Sequence, residues 1–271
     1  MITDVAQRWR RRRTSYRPAG EVIDPRRYEV APIAGDTEAR AFVVEHHYAA
    51  TYPAARERVG LYRAGELVGV AVFSVPAQGR VLDALPCPRT EAVELGRLVL
   101  LDNVPANGES WFVARALELL RRDGYAGVVS FSDPVPRRTA TGALVMPGHR
   151  GVVYQALSAV YTGRSKPGWL WLLPDGQAFS SRNVAKLRTR DTGWRYAARQ
   201  LVRWGAEPLE DFEDGAVWAR DELPRIARRQ RHSGNHRYLF PLSRAARRAL
   251  PAHLERRGLA PQAYPRVVDA A

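Results

Sequence analysis

The residues best suited to chemistry follow a short apolar run, Val128 to Phe131, which continues as Ser132, Asp133 and Pro134. In α/β folds, polar residues at the end of a strand lie beside the reactive end of a bound ligand. We therefore take Asp133 as a candidate carboxylate that accepts or orients a substrate group, with Ser130 or Ser132 beside it. The structural alternative stays open, because an Asp that precedes a Pro is often a turn cap.

A second polar group is expected around Tyr154, in an apolar segment over 149–160 with helical spacing. Tyr154 is either a general acid or base, or part of a buried helix face. His149 opens this segment, and an imidazole can titrate near neutral pH. His46 and His47 are adjacent and point apart, so they do not chelate one metal by themselves. A metal site could still be assembled with His149, His232 or His236, but their spacing fits no known ligand pattern, so we assign no metal ligands and leave the need for a metal open.

A turn that contains Pro and Gly, residues 103–108, lies between an apolar strand and an amphipathic helix. Phosphate groups bind where backbone N–H groups and the positive end of a helix meet at such a turn. The predicted donor-binding residues are Arg97, Leu98, Val99, Asn107, Gly108, Glu109 and Ser110. Arg97 follows Gly96 in the apolar strand and needs a partner. An ion pair with Glu91 or Glu94 and a contact with an acidic ligand group are both open.

These residues must be positioned by a scaffold of strands and helices. The patterns predict a helix over Thr37–Tyr48, a hairpin over 58–75, strands over 92–101 and 127–132, and a helix over 109–123. They also predict a strand over Trp169–Leu173, a helical stretch over Asn183–Trp204 interrupted at Gly193, a strand over Tyr238–Pro241 and a helix over Ser243–Leu250. This order is typical of an α/β protein with a mixed central sheet flanked by helices. We expect a flexible basic arm over 1–27, a catalytic domain over 28–204 and a basic C-terminal extension over 205–271, packed on the core.

The charge of the chain indicates a polyanionic partner. The 271 residues carry a formal net charge of +14, and almost all of the basic residues are arginine. They cluster at Arg8–Arg13, Arg182–Arg199 and Arg225–Arg248. Clustered positive charge favours nucleic acid, although a solvated basic surface or an acidic lipid or protein partner is an alternative. The single cysteine, Cys87, excludes an internal disulfide.

Targeting signals are not expected from the sequence. No apolar run approaches the ~18 residues of a membrane span. The N-terminal segment has no apolar stretch after its charges, so we predict no secretory signal and an intracellular, cytoplasmic protein.

The order hairpin, strand, turn with helix, strand, helix, strand resembles the GNAT acyltransferase superfamily. In that superfamily the turn after the fourth strand binds a CoA pyrophosphate. The corresponding turn here reads Asn103-Val104-Pro105-Ala106-Asn107-Gly108. It departs from the usual Arg or Gln followed by spaced glycines, which leaves open whether the donor is acetyl-CoA, another CoA-type molecule or an amino-acid-derived group.

A narrower resemblance rests on four segments: ELGRLVLLDNVPANGES, VVSFSDP, GHRGVVYQALSAVYTG and NHRYLFPL. In this order and spacing they resemble the Mom family of phage DNA modification proteins, which have a GNAT-like fold. That family adds a carbamoylmethyl group to the exocyclic amine of adenine and so shields phage DNA from restriction. The resemblance covers about residues 40–175 and 235–242.

The resemblance implies roles for individual residues. The catalytic Ser and Tyr of the family map onto Ser130 or Ser132 and onto Tyr154, while His47 and Tyr48 would face the substrate cleft. The candidate catalytic residues are Asp133, Tyr154, Ser130, Ser132 and His149, and the candidate substrate or DNA contacts are His47, Tyr48, Arg182, His236, Arg237 and Tyr238. The implied partners are double-stranded DNA and a CoA-type small molecule in the host cytoplasm, and a dimer is conceivable.

Two other functions fit the same sequence. One is an acyl-CoA-dependent N-acyltransferase of a small amine or a protein. The other is a non-catalytic nucleic-acid-binding protein on a GNAT-like fold. Modified nucleosides in DNA from expressing cells would distinguish the DNA-modifying enzyme from both.

Overall fold

The computed structural model describes residues 5–11 and 13–266. The strands are β1 (Val5–Arg10), β2 (Arg13–Pro18), β3 (Glu29–Pro32), β4 (Ala55–Arg63), β5 (Glu66–Ser74), β6 (Ala92–Leu100), β7 (Gly127–Ser132), β8 (Arg137–Arg138), β9 (Leu144–Met146), β10 (Val160–Arg164), β11 (Gly168–Leu172), β12 (Ala178–Phe179), β13 (Arg228–His232) and β14 (His236–Pro241). The helices are α1 (Asp36–His46), α2 (Gly108–Arg122), α3 (Val152–Ala156), α4 (Ser181–Thr189), α5 (Trp194–Val202), α6 (Gly215–Ile226) and α7 (Arg244–Arg256).

The chain divides into two compact units. Unit 1 contains the residues up to 134, 148–165 and those from 235 on, and unit 2 contains 135–147 and 166–234. This division differs from the expected boundary between 204 and 205. The reason is that β14, late in the chain, returns to unit 1 and pairs with both β7 and β10. The expected C-terminal extension is thus shared between the two units.

Unit 1 is built on a mixed sheet in the order β10-β14-β7-β6-β5-β4-β3. Neighbouring strands are antiparallel except for β6 and β7, which are parallel. The parallel ladder runs only from the pair Ala92 and Gly127 to the pair Leu95 and Ser130, whereas β6 continues to Leu100 paired with β5 alone. Within the sheet, the second half of β6 therefore has no strand partner on the β7 side.

Helices cover both faces of this sheet. On one face α2 buries an apolar stripe, Phe112, Val113, Ala116, Leu117 and Leu120, against Val93, Leu95 and Val128. On the other face α1 packs on Val70, Val72 and Val99, and α7 packs on Val129 and Leu239. Apolar residues at helical spacing on α2, and at alternating positions on the strands, produce this layered core. The predicted mixed α/β sheet flanked by helices is confirmed.

The N-terminal residues differ from the expected flexible arm. Strands β1 and β2 form an antiparallel hairpin, and Arg8 is only 1% exposed. Its guanidinium donates hydrogen bonds to the carbonyl oxygens of Leu101, Val104 and Pro105, and it forms an ion pair with Glu109. An arginine-rich segment without apolar periodicity can pack in this way because buried carbonyl and carboxylate oxygens satisfy the guanidinium.

Two further regions differ from the predicted elements. The helix expected over 149–160 is limited to α3, and the chain then continues as β10. The helical stretch expected over Asn183–Trp204 forms α4 and α5, separated at Gly193 (φ +87°), as predicted. Unit 2 also contains α6 and a sheet in the order β12-β11-β13. None of the described helices is long and apolar enough to cross a membrane.

Candidate active site

Two buried serines lie on one face of β7. Ser130 stands opposite Tyr238 of β14, and Ser132 stands opposite His236, so these four side chains share one face of the sheet. The Ser130 hydroxyl donates a hydrogen bond to the carbonyl oxygen of Leu95, at 3.3 Å. The buried Ser132 hydroxyl lies next to the Tyr238 hydroxyl and opposes the rise of its pKa, but the contact falls outside good hydrogen-bond geometry. A buried polar group with so weak a partner is costly, which favours a role in ligand binding for this end of β7.

Tyr154 lies on the same side of the sheet as the serines. Its ring packs against Tyr238, with centroids 5.3 Å apart, and against Phe240. Burial raises the pKa of the Tyr154 hydroxyl to about 12, and a hydrogen bond with Ser130 opposes this rise. At neutral pH the phenol is therefore protonated and acts as a hydrogen-bond donor. The structure brings Tyr154 next to Ser130 and also buries its ring in the core. Its surroundings are therefore compatible with a general acid or base and with a buried helix face.

The strand β7 leads directly into Asp133, which is 6% exposed. The backbone carbonyl of Asp133 accepts a hydrogen bond from the His149 backbone N–H at 2.7 Å, which joins the two predicted catalytic segments. The His149 ring lies 6.3 Å from the Tyr48 ring, and Tyr48 stacks on His47 at 4.3 Å. His47 is buried, and its Nδ1 accepts a hydrogen bond from the Ala49 N–H. The end of α1 is thus brought to the end of β7.

A buried histidine adjoins this group. The Tyr161 hydroxyl and the Nδ1 atom of His236 are 2.8 Å apart, and within the described chain the buried Nε2 atom of His236 has no partner. Burial, with smaller effects of Arg164, Arg150 and His149, lowers the pKa of His236 to about 4. The imidazole is therefore neutral at pH 7. His236, predicted as a substrate or DNA contact, is 1% exposed and lies inside the unit, so it is not accessible from the protein surface.

The two residues after His236 also differ from the predicted DNA contacts. Tyr238 is fully buried, and its hydroxyl donates a hydrogen bond to the carbonyl of Arg150. Arg237 points to the opposite face of β14, where its Nε donates to the Thr162 hydroxyl at 2.7 Å. The burial of Tyr238 and the direction of Arg237 could not be predicted from the sequence, because the pairing of the strands decides which side of a segment is buried. Arg182 lies exposed on α4 in unit 2.

Glu94 is a candidate functional residue that the sequence suggested only as a partner of Arg97. It lies on β6 opposite Val129 of β7. Burial raises the pKa of the Glu94 carboxyl, and Arg97 opposes this rise. Glu94 is also close enough to contribute to the raised pKa of Tyr154. An acidic residue in an otherwise apolar strand was the available signal, since such a group needs a partner or a ligand.

Arg97 is held by a loop and by its own strand. Its Nε and Nη2 atoms donate to the Thr51 carbonyl and hydroxyl, at 2.9 and 2.7 Å. The register of β5 and β6 shifts next to Arg97 and leaves Gly96 as the extra residue of a bulge. A Cβ atom on Gly96 would lie 2.5 Å from the Ser74 hydroxyl, so only glycine fits. The bulge bends β6 where its ladder with β7 ends.

The predicted phosphate turn is occupied by the N-terminal segment. The Asn107 side-chain oxygen accepts a hydrogen bond from the Ile23 N–H, and the Ala106 N–H donates to the Glu21 carboxylate at 3.0 Å. Glu109, which was predicted to bind the donor, is instead paired with Arg8. The Glu21 carboxylate takes the Ala106 amide, and the Glu109 carboxylate lies at the start of α2. These negatively charged groups would repel a CoA diphosphate, so the turn in this arrangement does not fit one.

The remaining turn residues have structural contacts. The Ser110 hydroxyl donates to the Asn107 carbonyl at 3.0 Å, within the first turn of α2. Gly108 is buried, and a Cβ atom on it would lie 2.5 Å from a methyl group of Val104. The absence of a side chain at Gly108 is therefore needed for core packing. Val99 is buried under α1, and Leu98 packs against the opposite core.

The site therefore combines three kinds of group around β7 and the first half of β6. These are the carboxylates of Glu94 and Asp133, the protonated hydroxyl of Tyr154, and an aromatic and imidazole pair formed by Tyr48 and His149. Such a set can orient an amine, accept its proton and donate a hydrogen bond to developing negative charge. Across the described residues, no group of three His, Cys, Asp or Glu side chains is arranged to hold a metal ion.

Comparisons with known proteins give the following matches. No curated protein matches the chain. Similar solved structures include a tandem GNAT protein from the clavulanic acid biosynthesis pathway, with 15% identity and a TM-score of 0.35 over 57% of this chain and 50% of that chain. Another is the Bacillus subtilis acetyltransferase in complex with CoA, with 13% identity and a TM-score of 0.34 over 80% of this chain and 99% of that chain. A third is an IAA acetyltransferase from Bacillus cereus, with 9% identity and a TM-score of 0.35 over 79% of this chain and 98% of that chain. The chain spans half the length of the tandem GNAT protein.

A sequence model of the Mom protein family matches residues 27–266. The match covers the central sheet and its helices in unit 1 and all of unit 2. The chain therefore belongs to the Mom protein family.

Proposed function

We propose that this protein modifies DNA by transferring a small acyl-derived group, of the carbamoylmethyl type, to the exocyclic amine of adenine. The observation that carries the proposal is the group of buried polar residues Ser130, Ser132 and Asp133, on and directly after β7, in a chain of the Mom family. The net charge of +14 supports DNA as the substrate, because a phosphate backbone attracts clustered arginine.

The adenine amine is a weak nucleophile because its lone pair is delocalised into the ring. In the proposed reaction a bond forms from this nitrogen to the transferred carbon, and the donor's leaving group departs with its electron pair. Asp133 orients the amine and accepts the proton that the nitrogen releases. Glu94, with its raised pKa, is the second candidate acceptor.

Tyr154 has the complementary role. With a pKa of about 12 its hydroxyl keeps its proton and donates a hydrogen bond to negative charge that develops on the transferred group. The base must leave the helical stack to reach these residues. Tyr48, with His47 stacked on one side and His149 nearby, supplies an aromatic surface for it.

The donor is proposed only by class. A CoA-type or amino-acid-derived molecule would place its reactive end where the second half of β6 lacks a strand partner on the β7 side. A CoA diphosphate at the 103–108 turn would first require the N-terminal segment to leave, because Glu21 takes the Ala106 amide.

The catalytic assignment is tested in cells that express the protein. Asp133→Asn preserves shape but removes the charge, so we expect loss of modified adenine in nucleoside mass spectrometry of cellular DNA. Tyr154→Phe should reduce the modified fraction less completely, because water or a neighbour can donate in its place. The matched control is Asp123→Asn, which alters an exposed acid at the end of α2.

Two results would contradict the assignment. Normal modification by Asp133→Asn would exclude its role as proton acceptor, and loss of folding, seen as a collapsed melting temperature, would favour a structural cap. If wild-type protein instead acylates a small amine or a protein and leaves DNA unchanged, the N-acyltransferase alternative is correct.

A further inference from the structure

The sheet of unit 2 exposes an aromatic side chain among arginines. In this sheet β11 pairs with β13, and Trp169 stands directly opposite Arg231, while Trp171 stands opposite Arg229. These four side chains share one face, because they are cross-strand pairs two residues apart. Trp171 packs into the core of unit 2, but Trp169 is 53% exposed. Trp169 therefore presents an aromatic ring to solvent between two exposed arginines.

The arginines around Trp169 are available to a ligand. The Arg229 guanidinium lies 4.3 Å from the centre of the Trp169 ring, and Arg229 and Arg231 are both exposed. The ion pairs of unit 2 use other arginines, namely Arg195, Arg220 and Arg225. Within the described residues of this unit, no carboxylate forms an ion pair with Arg229 or Arg231. Their charge is therefore uncompensated at short range.

We propose that Trp169, Arg229 and Arg231 form a second DNA contact, in which Trp169 stacks on a base that is not paired in the duplex and the arginines bind the adjacent phosphates. The proposal rests on the proposed function only in taking DNA as the partner. It places recognition of an unpaired base in unit 2, separate from the catalytic residues of unit 1.

Three properties of the surface favour this occupant. A tryptophan face stacks on any base, which contributes about 1–3 kcal/mol per base. Arginine binds phosphate through several N–H groups and also stacks on aromatic rings, as Arg229 does on Trp169. Trp169 and both arginines stand on two paired strands, so the register of the strands fixes the spacing between the ring and the guanidinium groups. A fully paired duplex would hide its base faces and could contact only the arginines.

The experiment measures DNA affinity by fluorescence anisotropy with purified full-length protein. The probes are a perfect duplex, the same duplex with one unpaired adenine, and a single strand of equal length. Trp169→Ala should weaken binding to the two probes with unpaired bases about 5- to 100-fold, and binding to the perfect duplex much less. Trp169→Phe should restore most of the affinity, because it restores an aromatic face.

Matched controls come from the same unit. Phe212 is 89% exposed but lies among acidic residues, so Phe212→Ala should leave all three affinities unchanged. Arg229→Gln and Arg231→Gln should each reduce the dependence of log Kd on log salt by about 1. Arg220→Gln removes an exposed arginine that is already paired with Asp221, so it should leave the dependence of log Kd on log salt unchanged.

The outcomes separate this proposal from the proposed function. If Trp169→Ala binds the unpaired probes as wild type does, this surface is not the contact and the proposal fails, whether or not adenine is modified in cells. If the loss occurs with every probe equally, Trp169 does not recognise unpaired bases and the proposal also fails. A selective loss upholds the proposal even if no modified nucleoside is found, a result that would count against the proposed function alone.

Discussion

At the scale of single residues, burial sets the protonation states in the site. It raises the pKa of Tyr154 and Tyr238 to about 12 and lowers that of His236 to about 4, so at neutral pH the phenols are protonated and the imidazole is neutral. It also raises the pKa of the Cys87 thiol to about 11, so this thiol is protonated and unreactive at pH 7. The site is thus prepared for hydrogen bonding and for proton transfer to a carboxylate.

His236 predicts how stability depends on pH. Its folded pKa of about 4 lies below the unfolded value of about 6.5, so the unfolded chain binds more protons between these values. The neutral His236 ring therefore makes its full contribution to the free energy of unfolding above pH 6.5, and this contribution is lost as the pH falls through about 4. By linkage it amounts to roughly 3 kcal/mol at most. Melting temperatures from pH 7.5 to 4 should fall less steeply for His236→Asn than for wild type. Parallel curves would mean that other groups cause the acid sensitivity.

At the scale of elements, two features determine the site. The short parallel ladder between β6 and β7 leaves the second half of β6 unpaired on one side, and the bulge at Gly96 bends the strand there. The N-terminal hairpin then braces the turn that follows β6, through Arg8 and through Arg17, which bonds to Glu21 and to the Asp102 carbonyl. The hairpin is thus part of the folded unit and fixes the turn that follows β6.

The buried ion pair between Arg8 and Glu109 predicts a mutational cycle. Arg8→Met leaves the Glu109 carboxylate and three backbone carbonyls without their donor, so we expect destabilisation of about 3–5 kcal/mol. Glu109→Leu alone leaves Arg8 partly satisfied by those carbonyls and should cost less. The double variant should be more stable than Arg8→Met alone, because no buried charge is then unpaired. Urea denaturation of the four proteins measures these differences.

Additive effects in that cycle would contradict the pairing. The exposed ion pair of Arg121 with Glu118 on α2 provides the control. A substitution of Arg121 by Met should change stability by less than about 1 kcal/mol, because exposed pairs contribute little.

At the scale of the whole molecule, the charge of +14 dominates the expected interaction with DNA. Exposed arginines occur in both units, for example Arg182, Arg188 and Arg199 in unit 2 and Arg244 and Arg248 in unit 1. Each phosphate contact releases bound counterions, so affinity should depend steeply on salt.

This charge predicts a linear fall of log affinity for duplex DNA with log salt, with a slope close to the number of phosphates bound. Anisotropy titrations between 50 and 300 mM salt measure this slope. Asp133→Asn should keep both affinity and slope, since Asp133 is buried. Affinity that does not change with salt would exclude a phosphate interface and leave a solvated basic surface as the explanation of the charge.

The sequence by itself determined the local elements and one half of the site. The apolar runs of β6 and β7, the helical spacing of α2 and the break at Gly193 are all local signals, and the structure contains these elements close to their predicted bounds. Ser130, Ser132 and Asp133 could be grouped because the two serines lie near the end of one strand and Asp133 follows it directly, and strand ends are where ligands bind.

Only the tertiary structure decided which distant residues meet. Arg8 and Glu109 are 101 residues apart, and His236 faces Ser132 only because β14 inserts beside β7. Likewise, the pairing of β11 with β13 placed Trp169 beside Arg231, and the burial of Glu94 raised its pKa. Local patterns contain little information on such contacts, because strand pairing over long separations depends on the packing of the whole sheet. The sequence therefore showed which residues could act, and the sheet decided which of them act together.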